Sequence, residues 1–168
     1  KNGNQSGGNL GSQLIDVVDR DGFGNEASPN YNASWIERMT DMANYLAMYQ
    51  GEEKYNPYEN PKFAQMVVAH ASLVSADYFT VQIGDCGSTA GIGFQRAEGV
   101  TDVGFKYLKD TILGKQLADY IYTWTGGDLS ALNYGIFDAD PTSIQADVLA
   151  MVGDSKEQKK TICKWCFI

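Results

Sequence analysis

The chain contains 168 residues, of which 43% are hydrophobic, 12% aromatic and 20% charged. This composition is typical of one folded globular domain and excludes disordered, collagen-like and low-complexity classes. The net charge of −8 gives no general electrostatic reason to bind a nucleic acid backbone or an anionic membrane surface. We therefore expect neither nucleic acid nor membrane among the partners.

Helical signals dominate the first half of the chain. A short apolar helix is predicted from Leu10 to about Asp19, followed by a longer one over 29–50. Ser28 suits the N-cap of the longer helix, Pro29 its first position, and Gly51 its end. Large apolar residues recur in it at three- and four-residue steps and predict its core side, namely Trp35, Met39, Met42, Leu46 and Tyr49.

A second long helix is predicted to start around Pro61. Phe63, Val67, His70 and Val74 share one face of it, so it also has a core side. Residues 79–83 alternate in polarity and are rich in β-branched side chains, which predicts at most one short strand or extended segment there. A glycine-rich loop, 84–93, follows.

The second half is also predicted to be helical. Residues 105–124 form one or two helices interrupted at Gly114, and a short helix covers Leu129 to Tyr134. Asp140 and Pro141 begin a last helix that runs through Ala150 and is closed by Gly153. Residues 155–168 have poor helical signals and are expected to be a poorly defined tail. The fold class is therefore all-α, with helices stacked as hairpins.

The two ends of the chain suggest an excised piece of a longer protein. The start is polar and glycine-rich, has no initiator Met and does not resemble a signal peptide, whereas the end, 165–168, is abruptly apolar. We therefore expect apolar surface to be exposed at 10–18 and around 165–168.

Metal and redox chemistry have little support in the sequence. Cys163 and Cys166 have the spacing of half a zinc site or of a redox pair, and Cys86 stands alone. A complete zinc site needs four ligands, and the sole histidine, His70, lies on an apolar helix face. We interpret the cysteines as buried or terminal thiols and His70 as a structural histidine, and we predict neither metal nor cofactor.

The richest local signal is the polar turn from Asp21 to Asn32, which runs directly into a helix N-terminus. Unpaired N–H groups and the positive end of the helix dipole favour an anion there. If Pro29 is the first helical residue, Tyr31 is the third, and the same field stabilises a phenolate. Tyr31 could then act as a general acid or base, although tyrosines in such positions are usually packed aromatics. Glu26 could equally be a capping or surface carboxylate with no role in binding.

The segment from Leu14 through Trp35 resembles the heparinase II/III-type polysaccharide lyases, whose α/α toroid domain carries Asp-Gly, Glu, Ser-Pro and then Tyr followed by Asn or His. The matching residues are Asp21-Gly22, Glu26, Ser28-Pro29 and Tyr31-Asn32. A weaker likeness covers residues 82–87, where Gly84-Asp85 follows an extended stretch.

The resemblance implies a single domain, 1–168, forming the C-terminal part of an incomplete α/α toroid. It implies a lyase that cleaves uronic-acid-containing polysaccharide by β-elimination outside the cell or in the periplasm. Tyr31 would transfer the proton, and Glu26, Asn32 and Asp85 would bind substrate. The family's charge-neutralising Asn and its catalytic His have no matching motif here, so the isolated chain is expected to be catalytically incomplete.

Two other functions fit the same sequence. One is a non-catalytic helical module that binds carbohydrate, for which Asp85 is either a sugar ligand or an ordinary turn residue. The other is a protein-interaction scaffold, suggested by the helical hairpins and by the stretch from Gln116 to Ser155. That stretch lacks Lys and Arg and carries six aspartates, although such a charge run is usually a solvated face.

Overall fold

The computed structural model describes residues 9–25, 28–49, 55–75, 79–81, 83–84, 100–132, 140 and 142–163. Within these ranges the chain is all-α, as predicted. The helices are α1 (Leu10–Asp16), α2 (Pro29–Met48), α3 (Pro61–Val68), α4 (Val100–Leu108), α5 (Gly114–Trp124) and α6 (Thr142–Cys163). Three short 3-10 helices cover Pro57–Glu59, Ala69–Leu73 and Leu129–Ala131.

A minimal antiparallel hairpin is the exception to the helical architecture. Strand β1 (Val74–Ser75) pairs with β2 (Phe79–Thr80), and Val74 lies opposite Thr80. β2 falls in the segment predicted to be extended, whereas β1 was not predicted. None of the described helices is both long and apolar enough to cross a membrane.

The starts of the helices follow their capping residues. Asn9 and Ser12 form a reciprocal capping box at α1, and the Asn60 side chain accepts hydrogen bonds from the N–H groups of Lys62 and Phe63 at α3. Pro29 and Pro61 occupy first helical positions, where a missing N–H costs nothing. The predicted starts at residues 29 and 61 are therefore confirmed.

The helix ends differ more from prediction. α3 ends at Val68 and continues as a 3-10 helix to Leu73, and α6 passes through Gly153 to Cys163. A glycine ends a helix when its backbone is left-handed. Among the described glycines that conformation occurs at Gly22, Gly84, Gly126 and Gly127, and not at Gly153.

The core forms around α3, which contacts α2 and α4. Phe63, Met66 and Val67 are fully buried there. A Cβ atom added to Gly104 of α4 would lie 2.4 Å from the Val67 side chain, so this glycine lets α4 approach α3 closely. α5 and α6 pack on each other and add further buried side chains, including Leu117, Ile121, Ile144 and Val148.

An aromatic cluster ties α2 and α4 to the 3-10 helix at Pro57–Glu59. The Tyr58 ring stacks on Tyr107 with their centroids 4.3 Å apart and meets Phe63 edge-on. The Tyr58 hydroxyl donates to Asn44 Oδ1 at 2.6 Å. Burial raises the pKa of Tyr58 well above its usual range, so the phenol stays neutral and serves as a hydrogen-bond donor.

α1 is anchored to α3 rather than exposed. Leu14 and Val18 belong to the core, and in this stretch Ile15 alone among the large apolar residues is mostly exposed. The expected apolar surface at 10–18 is therefore limited to Ile15, and 165–168 lies outside the described residues. The Lys62 ammonium of α3 donates to the carbonyls of Leu14 at 2.6 Å and Val18 at 2.8 Å. A cation thus satisfies the carbonyls at the C-terminal end of α1.

α2 buries a different face from the one predicted. Ile36, Met39 and Ala43 are buried, together with Asn32 and Thr40, whereas Met42 and Tyr49 are exposed. Of the residues predicted to form the core side, Met39 alone is fully inside. The buried side is lined mainly by small or branched residues, which allow α2 to approach its neighbours closely.

Replacing Lys62 by Met should lower the free energy of unfolding by about 1.5 to 3 kcal/mol, because it removes charge-assisted hydrogen bonds to at least two carbonyls while keeping the aliphatic stem. Urea denaturation followed by circular dichroism measures this change. Lys115→Met is the matched control, since its exposed ion pair with Asp119 at 3.6 Å should contribute less than about 1 kcal/mol. Equal losses in the two variants would contradict the proposed anchoring role.

Candidate functional site

The candidate site is built on the turn between α1 and α2. The Asp19 N–H donates to the Phe23 carbonyl at 2.7 Å, and the Gly22 N–H donates back to the Asp19 carbonyl at 3.1 Å. The Asp21 carboxylate accepts from the Phe23 N–H at 3.2 Å. Gly22 has a φ of 90°, which an L-residue rarely adopts. The turn predicted at Asp21-Gly22 is therefore confirmed and is closed by its own backbone.

This turn lies between α3 and the start of α2. A Cβ atom at Gly22 would lie 2.5 Å from the Gln65 carbonyl oxygen, and one at Gly24 would lie 2.9 Å from the Trp35 ring. Both glycines therefore sit where a side chain would collide with a neighbouring element. The Phe23 ring packs 5.7 Å from the His70 ring, between centroids. The turn is thus fixed on both sides before α2 begins.

Tyr31 is the third residue of α2, as predicted, and its side chain is 51% exposed. The Ser28 side chain does not cap the N-terminus of α2, and its hydroxyl donates to Asn30 Oδ1 instead. Among the described residues, no side chain accepts a hydrogen bond from the first N–H groups of this 20-residue helix, which lie near Tyr31. This arrangement favours negative charge near the phenol.

Asn32, predicted to bind substrate, is completely buried. Its Oδ1 accepts a hydrogen bond from the Gly24 N–H at 3.2 Å. Because no part of this side chain reaches solvent, the structure gives Asn32 a role in holding the turn against α2 rather than one in touching a sugar. Its Nδ2 atom has no hydrogen-bond partner within the described part of the chain.

Glu26 and Asp85, the other predicted substrate ligands, lie outside the described residues. Their convergence with Tyr31 stays a prediction. The structure brings together Tyr31, Asn32 and the Asp19–Asn25 turn. Tyr31 faces outward and Asn32 faces inward from adjacent positions of one helix turn.

His70 is a core histidine, as interpreted from the sequence. It is 1% exposed, and neither ring nitrogen has a hydrogen-bond partner among the described residues. Burial lowers the pKa of His70 from 6.5 to about 4, so the ring is neutral at pH 7. A buried, unpartnered imidazole is poorly placed to exchange protons with a substrate.

Metal-binding groups do not cluster in the described ranges, where no three His, Cys, Asp or Glu side chains lie close enough to hold an ion. Cys86 and Cys166 lie outside those ranges, and Cys163 is described as part of the α6 backbone. A cavity of about 180 Å³ opens between α4 and α6 beside the 2.6 Å ion pair of Lys109 and Asp147. It contains none of the predicted site residues.

Several large side chains on one side of α2 are exposed, beginning at Tyr31. Tyr45 and Tyr49 are 63% and 60% exposed, and Met42 is also exposed. Trp35 lies on the same side but is half-buried and packs against the core. Met42 and Tyr49 were predicted to face the core, so that part of the predicted core side is wrong.

The described residues define an all-α protein with an exposed tyrosine in the first turn of α2. No protein-family model, curated protein or solved structure matches the chain. The residues of the chain and their geometry are therefore the only guide to its function.

Gly22→Ala should destabilise the protein by about 2 kcal/mol or more, because it adds a collision with the Gln65 carbonyl to the strain of a positive φ. Gly126→Ala is a close control, since Gly126 has a φ of 63° with open space around it, and it should cost about 1 kcal/mol. Thermal or urea unfolding compares the two. If Gly22→Ala were as stable as Gly126→Ala, the close contact between the turn and α3 would not contribute to the free energy of unfolding.

His70 should make the protein less stable as the pH falls from about 6.5 to about 4. In that range His70 is protonated in the unfolded chain but neutral in the folded chain. The free energy of unfolding therefore falls by up to about 3 kcal/mol. His70→Leu should remove this component while changing stability little at pH 7, since no hydrogen bond is lost. Urea titrations of both proteins across this range test the prediction, and parallel pH profiles would contradict it.

Proposed function

We propose that this chain is part of a polysaccharide lyase that cleaves uronic-acid-containing polysaccharide by β-elimination. The observation that carries the proposal is the position of Tyr31, half exposed in the first turn of a helix whose N-cap residue, Ser28, makes no side-chain capping hydrogen bond. In this proposal the helices belong to an α/α toroid, and the protein acts outside the cell or in the periplasm. The isolated chain is catalytically incomplete in this proposal.

The chemistry explains why a tyrosine suits this position. The Tyr31 phenolate takes the proton from the sugar carbon next to the carboxylate, the bond between the neighbouring carbon and the glycosidic oxygen breaks, and a carbon–carbon double bond forms. The departing glycosidic oxygen receives a proton from a second acid contributed by the rest of the parent protein, while Tyr31 keeps the proton that it took. Negative charge develops on the sugar carboxylate during the first step, and open helix N–H groups stabilise charge of that sign.

Other residues support Tyr31 in this proposal. Asn32 holds the Gly24 backbone against the helix start, and the packing of Gly22 on α3 keeps the turn in place. Glu26 and Asp85 are proposed to bind sugar hydroxyls in the groove. The proposal includes no cofactor or metal, since the elimination has no redox step and acid–base groups can move both protons.

The net charge of −8 opposes binding of a polyanion. The electrostatic potential close to the site nevertheless has more influence on binding than the total charge. Charges beyond about 8 Å are largely screened at physiological salt. Six aspartates fall between Gln116 and Ser155, a stretch remote in sequence from the turn. Arg38 provides a cation two helical turns after Tyr31, and Asp19, Asp21, Glu37 and Asp41 lie in the same part of the chain.

A non-catalytic carbohydrate-binding module is the second candidate, favoured by the state of His70. The one histidine of the chain is buried and lacks partners in the described structure. A lyase site without an accessible histidine must take its second proton-transfer group from elsewhere. A binding module needs no such group.

The test compares the parent protein that contains this chain with its Tyr31→Phe variant on uronate polysaccharides. Elimination creates an unsaturated sugar that absorbs in the near ultraviolet, so product is followed continuously. Tyr31→Phe should lower the rate by at least about 100-fold, because it removes the proton-transfer group without changing the shape of the side chain.

Tyr55→Phe is the matched control, since Tyr55 is an exposed tyrosine on a different part of the chain and should leave the rate unchanged. Full activity of Tyr31→Phe would contradict the assignment of Tyr31 as the proton-transfer residue. Glycan binding without product, unaffected by Tyr31→Phe, would support the binding module instead.

A further inference from the structure

His70, the one histidine of the chain, lies beneath the turn that precedes α2. It belongs to the 3-10 helix Ala69–Leu73, which continues α3, and it is 1% exposed. Phe23 packs against it from the turn, with the two ring centroids 5.7 Å apart. Asp21 and Asn25 of the same turn are exposed, whereas Phe23 is half-buried. Phe23 therefore covers the imidazole on the side of the turn.

The surroundings of His70 suit a neutral ring only. Neither ring nitrogen has a hydrogen-bond partner among the described residues. A neutral imidazole leaves one donor and one acceptor unpaired there, whereas a protonated imidazole would bury two unpaired donors together with a charge. Protonation therefore favours an arrangement in which water reaches the ring.

The turn is held to its neighbours by packing more than by hydrogen bonds. Its own hydrogen bonds are internal, since the Asp19 N–H donates to the Phe23 carbonyl at 2.7 Å and the Gly22 N–H donates to the Asp19 carbonyl at 3.1 Å. Among the described residues, one hydrogen bond joins the turn to another helix, from the Gly24 N–H to Asn32 Oδ1 at 3.2 Å. The turn can therefore move as a unit when this bond and the packing of Gly22 and Phe23 are lost.

We propose that Phe23 and His70 form an acid-sensitive latch, in which protonation of His70 releases the Asp19–Asn25 turn from α3 and from the start of α2. At neutral pH the imidazole is uncharged and Phe23 stays packed on it. In acid the ring takes up a proton from solvent, its two N–H groups bind water, and the turn moves away. Because the turn fixes where α2 begins, the surroundings of Tyr31 keep their geometry near neutral pH and lose it in acid.

Charged groups on the packed elements do not set the proton affinity of His70. Its 3-10 helix packs on α3 and α5, and Phe23 brings in the turn. The charged side chains of these elements are Asp19, Arg20, Asp21, Lys62, Lys115 and Asp119. The phenols of Tyr120 and Tyr122 in α5 are neutral in acid. Burial is the sole cause that lowers the pKa of His70, so neither these groups nor the buried Asp102 of α4 contributes to it.

The size of the effect follows from the two proton affinities of His70. Burial holds the pKa of His70 in the closed form at about 4, and a solvent-exposed histidine in the open form has a pKa of about 6.5. The proton therefore binds preferentially to the open form, and the closed form loses stability as the pH falls from about 6.5 to about 4. From pH 7 to pH 5 the ratio of open to closed molecules should rise about 20-fold.

Hydrogen exchange followed by NMR on the full chain tests the latch. The Gly24 N–H reports opening, because its acceptor, Asn32 Oδ1, belongs to α2 and is left behind when the turn moves. Its protection factor, corrected for the intrinsic exchange rate, should fall about 20-fold from pH 7 to pH 5. Low concentrations of urea should leave this protection unchanged, since local opening exposes little surface.

Two references separate local opening from other effects. The N–H of Ile121, a fully buried residue of α5, should stay better protected and respond to urea, because it exchanges through global unfolding. His70→Leu removes the titrating group and keeps an apolar side chain beneath Phe23. In this variant the protection of the Gly24 N–H should be the same at pH 7 and pH 5.

A second measurement follows His70 itself, since the ring protons of a single histidine are identified directly in the NMR spectrum. Phe23→Ala should raise the midpoint of the His70 titration by about one pH unit or more, because water gains access to the ring. Phe23→Leu keeps the cover and should raise it less. Tyr55→Ala is the matched control, since Tyr55 is exposed on a different part of the chain, and it should leave the midpoint unchanged. Far-ultraviolet circular dichroism at pH 7 checks that each variant folds.

The latch would be overturned by a Gly24 protection factor that does not change between pH 7 and pH 5, or that falls equally in His70→Leu. Equal protection and equal urea dependence of the Gly24 and Ile121 N–H groups would also overturn it, because acid would then act through global unfolding alone. Both measurements follow the turn rather than a reaction. Their outcome is therefore independent of whether Tyr31→Phe abolishes elimination.

Discussion

The contact between the Gly22–Gly24 backbone and its two neighbours is the constraint on which the site depends. On one side the backbone touches the carbonyl of Gln65 so closely that no side chain fits, and on the other it lies under the Trp35 ring. Because α3 is buried in the core, this contact transfers the rigidity of the core to the turn. The turn in turn fixes where α2 begins, and with it the place of Tyr31.

The same contact helps to explain the orientation of α2. Trp35 covers Gly24, and Asn32 binds the Gly24 N–H from the buried side, so the helix is held at its first two turns. Small residues such as Ala33 and Ala43 then let it lie close to its neighbours. Buried polar atoms on Asn32, Thr40 and His70 have no hydrogen-bond partners in the described part, and leaving them unpaired lowers the free energy of unfolding.

Tyr31 lies in the first turn of α2, where the helix N-terminus favours negative charge. Its side chain is half exposed, whereas the adjacent Asn32 is buried and holds the turn. Arg38 follows two helical turns later, between Glu37 and Asp41, on a protein whose total charge is −8.

Local signals in the sequence determined the helical class, the starts of α2 and α3, and the turn at Asp21-Gly22. Proline at a first helical position, a capping asparagine and a glycine that needs a positive φ each act within a few residues. Tertiary structure alone decided which side of α2 is buried, that α6 passes through Gly153, and that Asn32 faces inward beside an exposed Tyr31. The periodicity of large residues marks one side of a helix, but a side is buried only where a neighbour can approach, and that depends on elements distant in the sequence.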